Sequence, residues 1–226
     1  LLILAKGKNM NRELLLNQIG DAVFKGEREE TNSLVKRAIS EGLKSNEILD
    51  SGLVPGIRKA GDLFEAGEYF LPELIISSEA MKSSIEILTP IMKSEGVSRK
   101  ILGKVVIGTV EGDIHDIGKT LVGTILSTAG FEIKDLGASV PVSKFIEEAI
   151  AFESDFICVS ALLTTTMIGQ RKIIETLKER GLRDRFKVLV GGAPASHKWA
   201  DEIGADGYGQ NAMAAVKVAK KLMGVV

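Results

Sequence analysis

The sequence predicts an α/β fold, a five-stranded parallel sheet with helices on both faces, preceded by a four-helix bundle. Two observations carry this expectation. From Met10 to about Glu95 apolar residues recur at helical spacing, as in Leu15, Ile19, Ala22 and Val23 and again in Leu74, Ile75, Ala80, Met81, Ile85 and Leu88. Beyond the polar stretch Lys93 to Lys100 the pattern changes to short apolar runs alternating with amphipathic helices, as βα units require. The domain boundaries expected are 10–95 for the bundle, 96–102 for a linker and 103–226 for the sheet domain.

In the bundle, helices are expected near 10–24, 28–42, 45–66 and 71–93, with Gly26, Gly42 and Gly67 at the breaks and Ser45 as an N-cap. Pro55 lacks a donor and its ring collides with the carbonyl four residues back, so the third helix should kink or divide. Pro72 falls in the first turn of the fourth, where the missing donor costs nothing. In the sheet domain, strands are expected at 104–110, 132–136, 155–160, 187–190 and 206–208. Helices should follow at 117–129, 143–152, 165–180, 196–203 and 211–223. Five such units fit a flavodoxin-like (Rossmann-type) sheet of order 2-1-3-4-5, whose switch point lies between strands 1 and 3. A ligand is therefore expected on the loops after those two strands.

Composition removes several classes of function. Twenty-nine Lys and Arg against 30 Asp and Glu leave a net charge of −1 with no basic stripe, which argues against nucleic acid as a partner. Cys158, His115 and His197 are the only soft or borderline metal ligands, too few for a disulfide framework or a closed structural zinc site. Leu1 to Ala5 is too short an apolar run for a signal peptide or a membrane span, so a cytoplasmic protein without a membrane partner is expected. Met10-Asn11-Arg12 has the form of a translation start opening a helix, and residues 1–9 are expected to be an addition ahead of it.

The loop after strand 1 reads Glu111-Gly112-Asp113-Ile114-His115-Asp116-Ile117-Gly118. Residues two apart in an extended stretch point the same way, so Asp113 can accept the Nδ1 proton of His115 and leave Nε2 as a ligand or acceptor. A solvated loop histidine beside an incidental Asp is the competing reading, weakened by the switch-point position and by Gly118, which permits close approach of a bulky ligand. After strand 3, Ser160-Ala161-Leu162-Leu163-Thr164-Thr165-Thr166 offers three threonine hydroxyls, which a helix N-cap would explain as well. After strand 4, Gly191-Gly192 leaves backbone bare for a planar or nucleotide-like group, a weak signal alone. Tyr208-Gly209-Gln210-Asn211-Ala212 adds polar groups at the same edge, though a turn and a helix cap account for it equally.

Together these loops describe a large cofactor site, and some candidates can be set aside. A receiver domain would carry Asp where Ser160 stands; a dinucleotide site would need G-x-G-x-x-G after strand 1; a hydrolase would need G-x-S-x-G around Ser160. Cys158 lies among Phe156, Ile157 and Val159 and reads as packing.

The spaced set Asp113, His115 and Gly118 (D-x-H-x-x-G), Ser160 and Leu162 (S-x-L), then Gly191-Gly192 resembles the signature of cobalamin-binding domains that hold the cofactor base-off, with His replacing dimethylbenzimidazole below cobalt. The stretch Gly56-Ile57-Arg58-Lys59-Ala60-Gly61-Asp62-Leu63-Phe64-Glu65-Ala66-Gly67-Glu68-Tyr69-Phe70-Leu71-Pro72-Glu73-Leu74 is similar to the helical cap of cobalamin-dependent methionine synthase. The resemblance covers about residues 11–224 and selects the methyltransferase branch over the mutases, whose cobalamin domain lacks this cap.

The resemblance implies that His115 is the lower axial cobalt ligand, Asp113 its hydrogen-bonded partner and Thr166 the hydroxyl completing a triad in which relatives often carry Ser. Asp116, Ile117, Gly118 and Thr164 join the cofactor-binding set; Ser160, Leu162, Gly191 and Gly192 line the pocket for the nucleotide tail; Tyr208, Asn211 and Ala212 lie near its far end. Phe64, Leu71 and Leu74 match positions covering the upper corrin face, or else are ordinary bundle core. The implied cofactor is cobalamin or a related corrinoid, methylcobalamin in one state, with cobalt cycling between I and III, and the protein supplying binding, ligation and electrostatics. Proton uptake through Asp113 when the imidazole leaves belongs to the same expectation.

No TIM-barrel methyltransferase of roughly 250 residues fits in the chain, so the resemblance implies a methyl carrier, catalytic only with partners. These would be a donor-specific methyltransferase and an acceptor methyltransferase, with a reductive activase, and the cap would move aside at each. Methoxyaromatic O-demethylation is the favoured donor chemistry, with methylamines, methanol and betaines as the others; tetrahydrofolate or coenzyme M is the acceptor. A cobalamin-binding sensor, regulator or storage protein is the alternative, although a sensor would normally add a DNA-binding segment for which the chain has neither length nor basic face.

Overall fold

A computed structural model describes residues 2–95 and 101–225, with side chains from Met10 onward except that of Glu65. The chain divides into two compact units, Leu1–Arg99 and Lys100–Val226. Residues 96–100 of the expected linker lie outside the described residues.

The regular elements of the first unit's described residues are all helices: α1 (Leu2–Lys25), α2 (Arg28–Ser40), α3 (Ser45–Glu47), α4 (Val54–Glu65) and α5 (Leu71–Ser94). The apolar positions that predicted them, Leu15, Ile19, Val23, Val35, Leu74, Met81 and Leu88, form its buried core. Each such side chain contributes about 1.5–3 kcal/mol on burial. Serines interrupt the buried face of α5, and their hydroxyls are satisfied: Ser77 donates to the Phe24 carbonyl at 2.8 Å and Ser84 to Asn32 Oδ1 at 2.9 Å. The expected third helix is divided by a wide π-helical turn, Ile48–Leu53, between α3 and α4. Pro55 follows at once, and the wider turn answers the same clash with the preceding turn that predicted a kink. Ser45 is the first residue of α3 and not its cap; its hydroxyl donates to Glu95 Oε2 at 2.5 Å.

The second unit alternates β1 (Gly103–Thr109), α6 (Ile117–Thr128), β2 (Phe131–Asp135), α7 (Val142–Ala151), β3 (Phe156–Ser160), α8 (Ile168–Glu179), β4 (Lys187–Gly191), α9 (His197–Ile203), β5 (Gly207–Gly209) and α10 (Ala212–Leu222). All strand pairs are parallel, in the order β2-β1-β3-β4-β5 that the sequence predicted. Val106, Ile157, Val159, Val188 and Val190 pack one face of the sheet against Phe145, Ile146, Ile173, Ile174 and Leu177 of α7 and α8, while α6 packs with α10. β1 ends one residue before its expected limit, and Val110 instead forms an isolated bridge with Val140. α8 starts at Ile168 and not at 165, because Thr164 to Met167 form a turn. Among the described residues no helix is long and apolar enough to cross a membrane.

Candidate functional site

Sheet register assembles the site. Thr109 pairs with Ser160, Ser160 with Gly191 and Gly191 with Gly209, so the loops after β1, β3, β4 and β5 all open on one carboxyl edge. After β1 the chain turns at once: the Asp113 N–H donates to the Val110 carbonyl at 3.1 Å, with Gly112 at φ +80° supplying a conformation that a side chain would oppose. The turn drives Asp113 inward until it is fully buried.

Both carboxylate oxygens of Asp113 are engaged. Oδ1 accepts from His115 Nδ1 at 2.7 Å and from the His115 N–H at 3.1 Å. Oδ2 accepts from the Leu162 N–H at 2.7 Å, the Leu163 N–H at 3.3 Å and the Thr166 hydroxyl at 2.8 Å. Burial alone raises the carboxyl pKa, but the bonds from the His115 ring, Leu162, Thr166 and the His115 backbone together hold it well below the usual range. Asp113 is thus an ionised acceptor, and the proton on the shared bond belongs to His115 Nδ1. The Nε2 edge of the ring faces away from this bond, on a side chain 47% exposed. The Thr109 hydroxyl fixes the loop from below by donating to the His115 carbonyl at 3.0 Å.

The three hydroxyls after β3 divide in role. Thr164 and Thr165 are exposed, whereas Thr166 turns inward to Asp113, with the Leu163 carbonyl at 2.9 Å as the other claim on its proton. None caps α8, whose N-cap position is Met167. Ser160 sits half-buried at the end of β3, and Leu162 contributes its N–H while its side chain is exposed.

Gly192 is demanded twice over. Its φ is +112°, and a Cβ there would lie 1.9 Å from the Ala161 carbonyl oxygen, so the loops after β3 and β4 touch through bare backbone. A Cβ on Gly191 would stand 3.2 Å from the Gly209 carbonyl, while one on Gly118 would meet nothing within 4 Å. Asp116 and Ile117 are exposed at the start of α6. Asn211 caps α10, its Oδ1 accepting from the Ala214 N–H at 2.8 Å, and Ala212 is buried in that helix's first turn. Tyr208 is half-buried edge-on against the His197 ring, centroids 5.0 Å apart. In the helical unit Leu74 is fully buried bundle core, Phe64 is half-buried and Leu71 is exposed.

Sequence reasoning missed Thr109 and Gln170. Gln170 is completely buried and joins three elements: Nε2 donates to the Val159 and Gly191 carbonyls at 3.0 and 2.9 Å, and Oε1 accepts from Trp199 Nε1 at 2.8 Å. Its signal was a polar residue in register with the apolar face of Ile173, Ile174 and Leu177.

Such an edge suits a broad ligand. Among the described residues no three His, Cys, Asp or Glu gather as a metal cluster. His115 could therefore offer at most a single nitrogen donor to a metal there. Ile114 and Ile117, 78% and 66% exposed, flank the imidazole in sequence, and Leu162, Leu163 and Ile168 are also exposed on the loop and helix start after β3. Apolar side chains left in solvent on a polar-rimmed edge are what a large, partly apolar ligand covers. The fold and site thus suit a protein that holds a large, partly apolar cofactor.

The comparisons name that cofactor. A B12 binding domain model matches residues 103–217, and a second B12 binding domain model matches 15–89. The dimethylamine corrinoid protein of Methanosarcina barkeri is 47% identical over 214 residues, 95% of this chain and 100% of that protein. A corrinoid protein of Desulfitobacterium hafniense (strain Y51) is 46% identical over 211 residues, covering 93% of this chain and 98% of its own. Among solved structures, the methanol:cobalamin methyltransferase complex of M. barkeri aligns with TM-score 0.81 at 29% identity, covering 94% of this chain and 80% of that one. The chain belongs to the family of B12-binding corrinoid proteins, and its cofactor is cobalamin or a related corrinoid.

Proposed function

We propose that this corrinoid protein carries a methyl group on cobalt between a donor-specific methyltransferase and an acceptor methyltransferase. The observation that carries the reading is the 2.7 Å bond between His115 Nδ1 and the buried Asp113 carboxylate, which would leave Nε2 free to serve as a nitrogen donor to the corrinoid's metal. The corrinoid supplies the metal that accepts and yields the methyl group; the chain's residues bind it, orient it and set the basicity of its axial ligand.

In this reading Asp113 fixes the imidazole tautomer, and Leu162, Leu163 and Thr166 keep the carboxylate charged. While those bonds persist Asp113 resists protonation, so proton uptake through Asp113 itself would require that set of bonds to loosen. Ser160, Leu162, Gly191 and Gly192 would receive the nucleotide tail, with Asp116, Ile117, Gly118 and Thr164 at the entrance and Tyr208 at the far end.

The relatives favour a methylamine as donor over the methoxyaromatic chemistry that resemblance alone suggested. Proteins named for dimethylamine and trimethylamine match 95% of this chain at 47% and 40% identity. A second substrate-specific methyltransferase, taking the group onward to coenzyme M or tetrahydrofolate, and a reductive activase complete the proposed partners.

The test is reconstitution with cobalamin followed by absorbance, then methyl transfer with reduced cofactor, candidate methylamines and partner enzymes. The reading expects the spectrum of a His-ligated corrinoid and methylation dependent on a methylamine methyltransferase. Protein that stays colourless overturns it, and colour with no methyl transfer from any donor turns it towards a sensor or storage role.

A further inference from the structure

The Asp113–His115 pair has a second support, outside the loops that the sequence singled out. The segment after β2, Gly137 to Val140, is laced to the end of β1 and to the loop that follows it. The Thr109 N–H donates to the Gly137 carbonyl at 3.0 Å and the Val140 N–H to the Thr109 carbonyl at 2.9 Å. Closer to the site, the Ser139 N–H donates to the Asp113 carbonyl at 2.9 Å, and the Gly112 N–H donates to the Ser139 hydroxyl oxygen at 3.1 Å. Asp135 anchors the base of the segment by accepting from the Gly137 N–H at 2.8 Å and pairing with the buried ammonium of Lys119 on α6.

Ser139 stands at φ +52°, in the left-handed region where a Cβ is opposed by the backbone. The side chain is exposed, so burial does not offset this strain. The same segment uses glycine at its other left-handed position, Gly137 at φ +84°. What serine adds at 139 is an oxygen, and that oxygen is bound to the Gly112 N–H. Strain retained beside a site, with a hydrogen bond that only the strained residue supplies, points to a positioning role.

We propose that Ser139 is a positioning residue for the His115 imidazole, on the reading that His115 is the axial donor to a bound corrinoid. It grips the Gly112–Asp113 dipeptide at both ends, through Oγ on the Gly112 N–H and its own N–H on the Asp113 carbonyl. This fixes the direction in which Asp113 enters the protein and hence the place where Oδ1 meets His115 Nδ1.

Three variants of the full chain test it. Ser139→Ala keeps the strain and removes the oxygen, Ser139→Gly removes both, and Ser139→Asn keeps an acceptor on a residue that tolerates left-handed backbone. Amide hydrogen exchange of Gly112 in the cofactor-free protein should quicken roughly three- to tenfold in the Ala and Gly variants and return towards wild type in Asn. In protein loaded with cobalt(II) cobalamin, the fraction showing axial-nitrogen splitting in the electron paramagnetic resonance spectrum should fall by a similar factor in the first two and recover in the third.

A purely conformational role for residue 139 makes the opposite forecast, because Ser139→Gly relieves strain and would match wild type in both readouts. That result overturns the proposal, as does wild-type behaviour of Ser139→Ala. Absence of nitrogen splitting from the wild type itself overturns the axial role of His115, and the Gly112 exchange still decides separately whether Ser139 holds the loop.

Discussion

The Thr166 hydroxyl donates to Asp113 Oδ2 at 2.8 Å across 53 positions of sequence, joining the loop after β3 to the loop after β1 beneath the candidate ligand histidine. Thr166→Ala should leave Oδ2 with backbone donors only, at a cost of about 1–2 kcal/mol. Thr166→Ser should restore most of it. Urea unfolding reads the stability, and the fraction of His-ligated cobalt(II) protein, expected to drop roughly two- to tenfold in the Ala variant, reads the effect on the imidazole.

His115→Ala should separate ligation from folding. The side chain is 47% exposed, so its loss removes little buried surface; the lost bond to the buried Asp113 carboxylate should cost about 1–3 kcal/mol, read as a fall in melting temperature of about 2–4 °C per kcal/mol for a chain of this size. The nitrogen splitting of the cobalt(II) form should vanish. Retained splitting would assign the axial nitrogen to another group.

Asp113 also sets an acid dependence. Its folded pKa lies below the unfolded value of about 3.9, so the unfolded state binds more protons in the interval between them and stability there rises with pH. Its contribution is complete above about pH 5, declines as pH falls across that interval and is gone below the lower folded value. Asp113→Asn should therefore flatten the stability profile below about pH 4 as well as lower it at neutral pH. An unchanged acid limb, followed by urea midpoints from pH 2 to 7, would assign the acid sensitivity to other carboxylates.

Gly192→Ala combines left-handed strain with a 1.9 Å approach to the Ala161 carbonyl oxygen. A loss of about 3 kcal/mol or more is expected in urea unfolding, above the typical single-substitution range. Displacement of the loop after β3 should also weaken corrinoid binding.

Cys158 tests the packing of β3. Burial pushes its thiol up to about 12, so native protein should resist alkylation at neutral pH and take up one equivalent after denaturation. Rapid labelling of the native chain would contradict a packed strand at that position.

The sheet order and the loops that form its carboxyl edge were legible because apolar runs of strand length recur between amphipathic helices, a local pattern that any segment displays without its neighbours. The pairing of Asp113 with His115 was legible for the same reason, since the two are two residues apart. Helix details were less so: Ser45 has the residue type of a cap yet serves Glu95, 50 positions away, and the three threonines after β3 present the same polar type to a reader although only Thr166 turns inward.

Short-range chemistry was therefore determined by the sequence alone: the periods of the elements, the imidazole and its carboxylate, and the bare glycines at the strand ends. Tertiary structure decided what holds them, namely the Leu162 and Leu163 N–H groups and Thr166 on Asp113, Thr109 beneath His115, Gln170 across β3 and β4, and Ser139 against the Gly112–Asp113 dipeptide. The physical reason is that a buried carboxylate and a loop backbone take their donors from whichever segments the sheet register brings alongside. That register is set by the packing of whole strands and helices, which no local window of the chain contains.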